Sequence, residues 1–139
     1  MDTVIFACVQ NAGRSQMAAA FFNALAAPNR AHAISAGTRP ASHVHPVVIE
    51  VMQECGIDLS GKQPQALSPA LVQGASLLIT MGCGDECPYV PRLQVDDWPL
   101  TDPAGRPIGE VRGIRDEIRQ RVAALISTHH WSAQPSSLD

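Results

Sequence analysis

A cysteine, an arginine and a serine with complementary chemistry stand close together near the start of the chain: Cys8, Arg14 and Ser15. A cysteine thiolate is a strong nucleophile. An arginine presents a planar fork of donors that matches a tetrahedral oxyanion, and the serine hydroxyl is able to donate a hydrogen bond to the sulfur. Together they predict a nucleophile inside an anion-binding site in residues 8–15, which we call the Cys8 loop.

The residues on either side of this set predict the backbone that holds it. Residues 4–8 form an apolar run typical of a buried strand, and Met17, Phe21, Phe22 and Leu25 recur at the spacing of one helix face. A loop between a strand end and a helix start aims several peptide N–H groups inward, and the helix dipole adds positive potential there. That potential also favours a thiolate. We therefore predict that an oxyanion binds to Val9, Gln10, Asn11, Ala12, Gly13, Arg14 and Ser15.

A cysteine followed six residues later by an arginine has a simpler interpretation in an arbitrary chain. It would be a buried strand-end cysteine beside a surface arginine. The strand before Cys8, the helix after it and the position of Ser15 directly after Arg14 favour the nucleophile instead.

A second pair of cysteines, Cys83 and Cys87, stands in a segment that contains glycine and proline. Such a pair is compatible with redox chemistry, with half of a zinc site, or with no function. Structural zinc takes four protein ligands and catalytic zinc takes three and a water, and no second Cys/His pair stands at a convincing spacing. We expect a mobile loop and no metal, while the residues alone leave the redox and non-functional alternatives open.

Asp102 begins the turn Asp-Pro-Ala-Gly at 102–105. An oxygen that leaves the centre of an oxyanion must be protonated, and a positioned carboxyl group does this. The same turn is also common in surface loops, so the turn alone does not decide the role of Asp102.

The Cys8 loop resembles the phosphate-binding loop of the low-molecular-weight protein tyrosine phosphatases and of the arsenate reductases that share their fold. Residues 11–18 resemble the arsenate reductase branch in particular. The resemblance covers nearly the whole chain. It implies that Cys8 attacks arsenic, that Arg14 and the loop hold arsenate, and that Asp102 is the general acid. It implies no cofactor.

Two further positions separate the branches of this family. The phosphatases place aromatic residues after their Asp-Pro element, whereas Ala104 and Gly105 follow here, which indicates a small inorganic oxyanion as the substrate. Some members bind potassium through a carboxylate in the first helix. Ala19 stands at the matching position, so we do not expect that site.

In the thioredoxin-coupled arsenate reductases a second cysteine follows the third strand and a third lies shortly after it. Cys83 and Cys87 match these positions in order, although the interval between them is shorter. The resemblance implies a Cys8–Cys83–Cys87 disulfide relay with thioredoxin as the reductant. Because Gly13 stands where some members carry another cysteine, a low-molecular-weight thiol with a glutaredoxin-like protein is an alternative. A low-molecular-weight phosphatase and a pure oxyanion-binding module are the others.

Strand and helix patterns alternate along the whole chain. Further strands are predicted at 33–37, 76–81 and 94–98, and helices from Ser42 or His43 to Cys55, from Ser68, and over 111–126. This alternation predicts an α/β fold, with a single domain at 1–131, a four-stranded parallel sheet with helices on both faces, and a loose tail at 132–139. Ligands bind beyond the carboxyl ends of such strands, where the Cys8 loop lies.

Composition limits the remaining possibilities. The 139 residues suit one domain, and no apolar run reaches the roughly 20 residues of a membrane span. The net charge of −3 comes without a basic stripe, so we expect no nucleic acid partner. Nothing at the N-terminus is typical of a secretory signal, and four cysteines in such a chain favour catalysis over structural disulfides. We expect a cytoplasmic, monomeric protein with no membrane partner.

Overall fold

One sheet organises the chain. The computed structural model describes residues 1–82 and 93–132, so Cys83, Cys87 and residues 133–139 of the predicted tail lie outside the described residues. The elements are β1 (Asp2–Cys8), α1 (Arg14–Leu25), β2 (Ala31–Gly37), α2 (Pro46–Gln53), α3 (Pro69–Gln73), β3 (Leu77–Thr80), β4 (Gln94–Asp97) and α4 (Ile108–Thr128). The strand order is β2-β1-β3-β4 and all neighbours are parallel. The predicted four-stranded parallel sheet is confirmed.

Helices cover both faces of this sheet, as predicted, but unequally. Alternate strand residues point to opposite faces. Phe6 points to the face where α1, α2 and α4 pack, in an apolar cluster that includes Met17 and Ile118. Ile5 points to the other face, where α3 contributes Val72. Among the helices of residues 1–82 and 93–132, none has the length and apolar character needed to cross a membrane.

Two predictions about the helices were wrong. The second helix begins at Pro46 rather than at Ser42 or His43. A proline disfavours the helical conformation in the residue before it, and His45 accordingly has an extended ψ of 130°. Leu25, predicted on one helix face with Met17, Phe21 and Phe22, is 36% exposed at the end of α1, whereas those three residues are buried.

The strand register brings the carboxyl ends of the strands to one edge. Cys8 pairs with Gly37, and Ala7 pairs with Thr80, which in turn pairs with Asp97. The segments that follow the four strands therefore leave the sheet side by side. The Cys8 loop, which the sequence predicts to bind an oxyanion, leaves the sheet at this edge.

Candidate functional site

The Cys8 loop joins β1 to α1 with its carbonyl groups turned outward. The carbonyl oxygens of residues 8, 9, 10 and 12 accept hydrogen bonds of 2.8–3.1 Å from peptide N–H groups within residues 38–45. The Gly13 carbonyl accepts from the Met17 N–H at 3.0 Å, in the first turn of α1. Within the described residues, the peptide N–H groups of residues 10–14 donate to no acceptor. They are left for the inner side of the loop, beside the positive end of the α1 dipole.

Cys8 lies at the base of this loop. Its side chain is buried, and Sγ lies 2.9 Å from Oγ of Ser15. From this position the sulfur can attack the central atom of an anion that is bound to the N–H groups of the loop. The predicted nucleophile and hydroxyl are therefore in contact.

Asn11 contacts the Ser15 hydroxyl that faces Cys8. The Gln65 peptide N–H, which is only a donor, bonds Oδ1 of Asn11 at 2.8 Å. This fixes the amide so that Nδ2 donates to Ser15 Oγ at 2.7 Å. The serine oxygen is thus an acceptor in that contact, and its single proton is free to donate to Sγ of Cys8. A hydrogen bond donated to sulfur stabilises the thiolate.

Arg14 is buried at the start of α1, with 9% of its side chain exposed. Nη1 donates to the carbonyl of Leu100 at 3.0 Å, and Nη2 lies 3.8 Å from Oδ2 of Asp102. The second distance allows electrostatic attraction but exceeds hydrogen-bond length. The segment after β4 thus holds the guanidinium in place and leaves donors for an anion.

Asp102 is half-exposed beside this guanidinium. Its other oxygen, Oδ1, accepts a hydrogen bond of 3.0 Å from the Ala104 N–H, which closes the predicted turn. The carboxyl group is therefore oriented by its own turn and faces the same side of the loop as Arg14. This is the placement that a proton donor to a bound oxyanion requires.

The structure brings together the Cys8 loop and Asp102, and it also describes the residue that precedes Cys83. Gly82 has a φ of +87°, and a Cβ on it would collide with Nη1 of Arg14. A residue with a side chain at this position would be strained by the conformation and would have to displace the guanidinium of Arg14. The chain therefore leaves β3 in contact with the anion site, immediately before the first of the two paired cysteines.

Sequence reasoning missed the amide side chains that support the loop from outside. Asn11 was predicted only as a backbone donor, and Gln16 and Gln65 were not predicted at all, yet all three join one hydrogen-bond network. The available signal was a pair of polar residues, Ser15 and Gln16, that directly follow Arg14 and precede the apolar residues 17–22 of the helix. In the part of the chain that the structure describes, no group of three or more potential ligands lies together as a metal would need.

Comparisons with known proteins agree with this geometry. The family of low molecular weight phosphotyrosine protein phosphatases matches residues 3–134. A Halobacterium salinarum protein with an arsenate reductase assignment is 42% identical over 124 residues, 86% of this chain and 87% of its own. The glutaredoxin arsenate reductase of Synechocystis sp. is 35% identical, over 91% of this chain and 98% of its own.

A solved structure gives the same result. The thioredoxin-dependent arsenate reductase of Corynebacterium glutamicum superposes with a TM-score of 0.79 at 37% identity, over 92% of this chain. The match spans 61% of the solved chain.

Proposed function

The chain belongs to the low molecular weight phosphotyrosine protein phosphatase family, and within that family we propose that it is an arsenate reductase. The observation that carries the proposal is the buried Cys8 sulfur, 2.9 Å from the Ser15 hydroxyl, at the base of a loop with inward N–H groups. The relatives named above, at 35–42% identity over most of the chain, are arsenate reductases by name. Arsenate is the substrate that this site and these relatives support together.

In the first step, arsenate binds to the N–H groups of the Cys8 loop and to Arg14. The Cys8 thiolate attacks arsenic and forms an S–As bond, while an As–O bond breaks. Asp102 gives its proton to the departing oxygen, which leaves as water. The position of Asp102, held by its turn and 3.8 Å from Arg14, supports this role.

In the second step, the Cys83 thiolate attacks Sγ of Cys8. A disulfide forms between the two cysteines, the S–As bond breaks, and its electron pair stays on arsenic. Arsenic(V) is thereby reduced to arsenite, and two thiols are oxidised to one disulfide. The contact between Gly82 and Arg14 supports this step, because Gly82 immediately precedes Cys83.

In the third step, Cys87 attacks Cys83, releases the Cys8 thiol and forms a Cys83–Cys87 disulfide. A dithiol protein of the thioredoxin type then reduces this disulfide. The thioredoxin-dependent relative from Corynebacterium glutamicum supports that reductant. Both cysteines of this step lie outside the described residues.

A second redox route has support of its own. The Synechocystis relative is a glutaredoxin arsenate reductase by name, and glutaredoxins act on mixed disulfides with a small thiol. In that route an external thiol attacks the Cys8 adduct, arsenite leaves with the electron pair, and the mixed disulfide on Cys8 is reduced by a glutaredoxin-like protein. Cys83 and Cys87 would then be dispensable.

A single turnover without external reductant tests the proposal. Fully reduced protein is mixed with arsenate, and free thiols and arsenite are counted. Loss of two thiols for each arsenite released is the expected result. Arsenite formed only after a low-molecular-weight thiol is added would favour the second route. No arsenite under either condition, together with rapid hydrolysis of an aryl phosphate, would replace the proposal with a phosphatase.

A further inference from the structure

Gln16 lies behind the Cys8 loop, on the side away from the anion, and only 4% of it is exposed. Its Nε2 donates to the main-chain oxygen of Asn11 at 3.1 Å, to Oδ1 of Asn11 at 3.3 Å and to the Gln63 carbonyl at 3.4 Å. Two of these acceptors are backbone carbonyls, which fixes the amide with its nitrogen toward the loop. One side chain thus joins the loop to the segment that follows α2.

We propose that Gln16 is a positioning residue of the anion site, acting through Asn11, an assignment that rests on the proposed function of the loop. Asn11 has a φ of +52°, in the left-handed region that asparagine adopts more readily than most other residues with a side chain. In this conformation the Asn11 carbonyl faces the Gln16 amide, and the peptide N–H groups of residues 10–14 have no acceptor among the described residues. The Gln16 amide stabilises this conformation of Asn11 by donating hydrogen bonds to both of its oxygens.

A cavity lies beside Gln16 and the hydrogen bonds that join the Cys8 loop to residues 57–65. The space has a volume of about 370 Å³ and lies between α1, β2 and residues 57–65, with Gln16, Ala19 and Leu59 in its lining. Leu59 of this segment is buried in the main apolar cluster, whereas Gln63 and Gln65 border the cavity. The described hydrogen bonds of the segment to Asn11 and Gln16 come from the Gln65 N–H and the Gln63 carbonyl. Loss of the Gln16 donor therefore leaves the Gln65 N–H as the described hydrogen bond between this segment and Asn11.

The test replaces Gln16 by methionine, which keeps the length and volume but cannot donate. We expect inorganic phosphate, the anion probe, to bind about tenfold more weakly by calorimetry, since each net hydrogen bond contributes about 0.5–1.5 kcal/mol and 1.4 kcal/mol is tenfold. Alkylation of Cys8 by iodoacetamide, a readout that needs no anion, should also slow. Gln63→Ala is the matched control, because it removes an amide from the same cavity but keeps the carbonyl that Gln16 uses.

A second variant, Gln16→Glu, distinguishes a positioning role of Gln16 from a role in packing alone. It also provides the test if the methionine variant does not fold. A carboxylate cannot donate and faces three oxygens, whereas the neutral acid can donate one hydrogen bond. We expect the phosphate affinity of this variant, relative to wild type at the same pH, to recover as the pH falls, because burial among oxygens raises the pKa of a carboxyl group. Wild-type affinity and alkylation rate in Gln16→Met, or an unchanged ratio in Gln16→Glu, would overturn the inference. Wild-type protein that binds phosphate without reducing arsenate would refute only the proposed function.

Discussion

Pro103 packs directly against Gly13, so that the segment after β4 rests on the Cys8 loop. A Cβ placed on Gly13 would lie 2.8 Å from Cγ of Pro103, closer than real carbon atoms approach. A proline ring cannot turn away as a flexible side chain would. Gly13→Ala must therefore push the Asp102 turn outward, away from Arg14.

This contact gives the first prediction. We expect Gly13→Ala to lower kcat/KM for arsenate about 10- to 100-fold, because small displacements of positioned groups have effects of that order. Gly109→Ala is the control, since a Cβ there meets nothing within 4 Å and should leave the steady-state rate unchanged. Equal rates for the two variants would show that the Asp102 turn tolerates displacement.

Ser15 gives the second prediction, because its hydroxyl lies 2.9 Å from Sγ of Cys8 and donates to the sulfur when Cys8 is a thiolate. In Ser15→Ala that hydrogen bond is lost, and the rate of Cys8 alkylation at neutral pH should fall about tenfold, as expected for one charge-assisted hydrogen bond. Ser15→Thr keeps the hydroxyl and should recover most of the rate. Ser42→Ala, whose hydroxyl contacts His43, should react like wild type.

The third prediction concerns the proton donor. Asp102→Asn keeps an oxygen for the Ala104 N–H but has no acidic proton to give. Formation of the Cys8–arsenic adduct should slow by about 10²- to 10⁴-fold, the range for general acid catalysis, while phosphate binds at least as tightly as in wild type, since a negative charge beside Arg14 is removed. Rapid-quench mass spectrometry measures the adduct directly. Unchanged adduct formation would remove Asp102 from the mechanism.

The fourth prediction separates the paired cysteines. Cys87→Ser should release one equivalent of arsenite and accumulate a Cys8–Cys83 disulfide, because nothing remains to attack Cys83. Cys83→Ser should stop at the arsenic adduct of Cys8. Peptide mapping under non-reducing conditions identifies both species, with Cys55→Ser as the control. Sustained turnover of Cys83→Ser with a small thiol would instead establish the external route.

The fifth prediction concerns stability rather than catalysis. Arg112 and Arg115 hydrogen-bond to Glu54 at 2.8 Å and 2.7 Å and join α4 to the end of α2. These bonds lower the pKa of Glu54 from 4.5 to about 2, the Arg112 contact being the larger cause. Because the folded-state pKa is depressed, the stabilisation is present above about pH 4.5 and is lost as the pH falls towards 2.

Glu54→Gln should therefore unfold at a lower denaturant concentration than wild type at pH 7, and the difference should shrink as the pH approaches 2. The effect should be modest, since Glu54 is partly exposed and solvent screens the pair. In a background carrying Arg112→Gln and Arg115→Gln, the same substitution should change little. A difference independent of pH would assign the effect to packing.

Local sequence patterns were sufficient to predict the strands and helices and to place Cys8 at the end of β1. The apolar run of β1 and the helical spacing of Met17, Phe21 and Phe22 depend on residues close together in the chain, and these are the signals that periodicity records. The start of α2 was missed because proline acts on the residue before it, a local rule that outweighed the apolar pattern.

The hydrogen-bond partners that hold Asn11 and Arg14 in place could not be predicted from the sequence, for a different reason. Asn11 meets Gln65, and Arg14 meets Leu100, through contacts between distant parts of the chain. Nothing in the local sequence specifies a partner that the sheet register alone brings near. For Asp102 the residues left the role open, and the family resemblance supplied it.

The hydrogen bond from Arg14 to the Leu100 carbonyl spans 86 residues of the chain, which has a consequence during biosynthesis. At about 5–20 residues per second, roughly 4–17 s pass between translation of the arginine and of its acceptor. For that interval a nascent chain carries Cys8 without the segment that completes its surroundings. The hydrogen bond that holds the Arg14 guanidinium therefore forms only after residue 100 has been made.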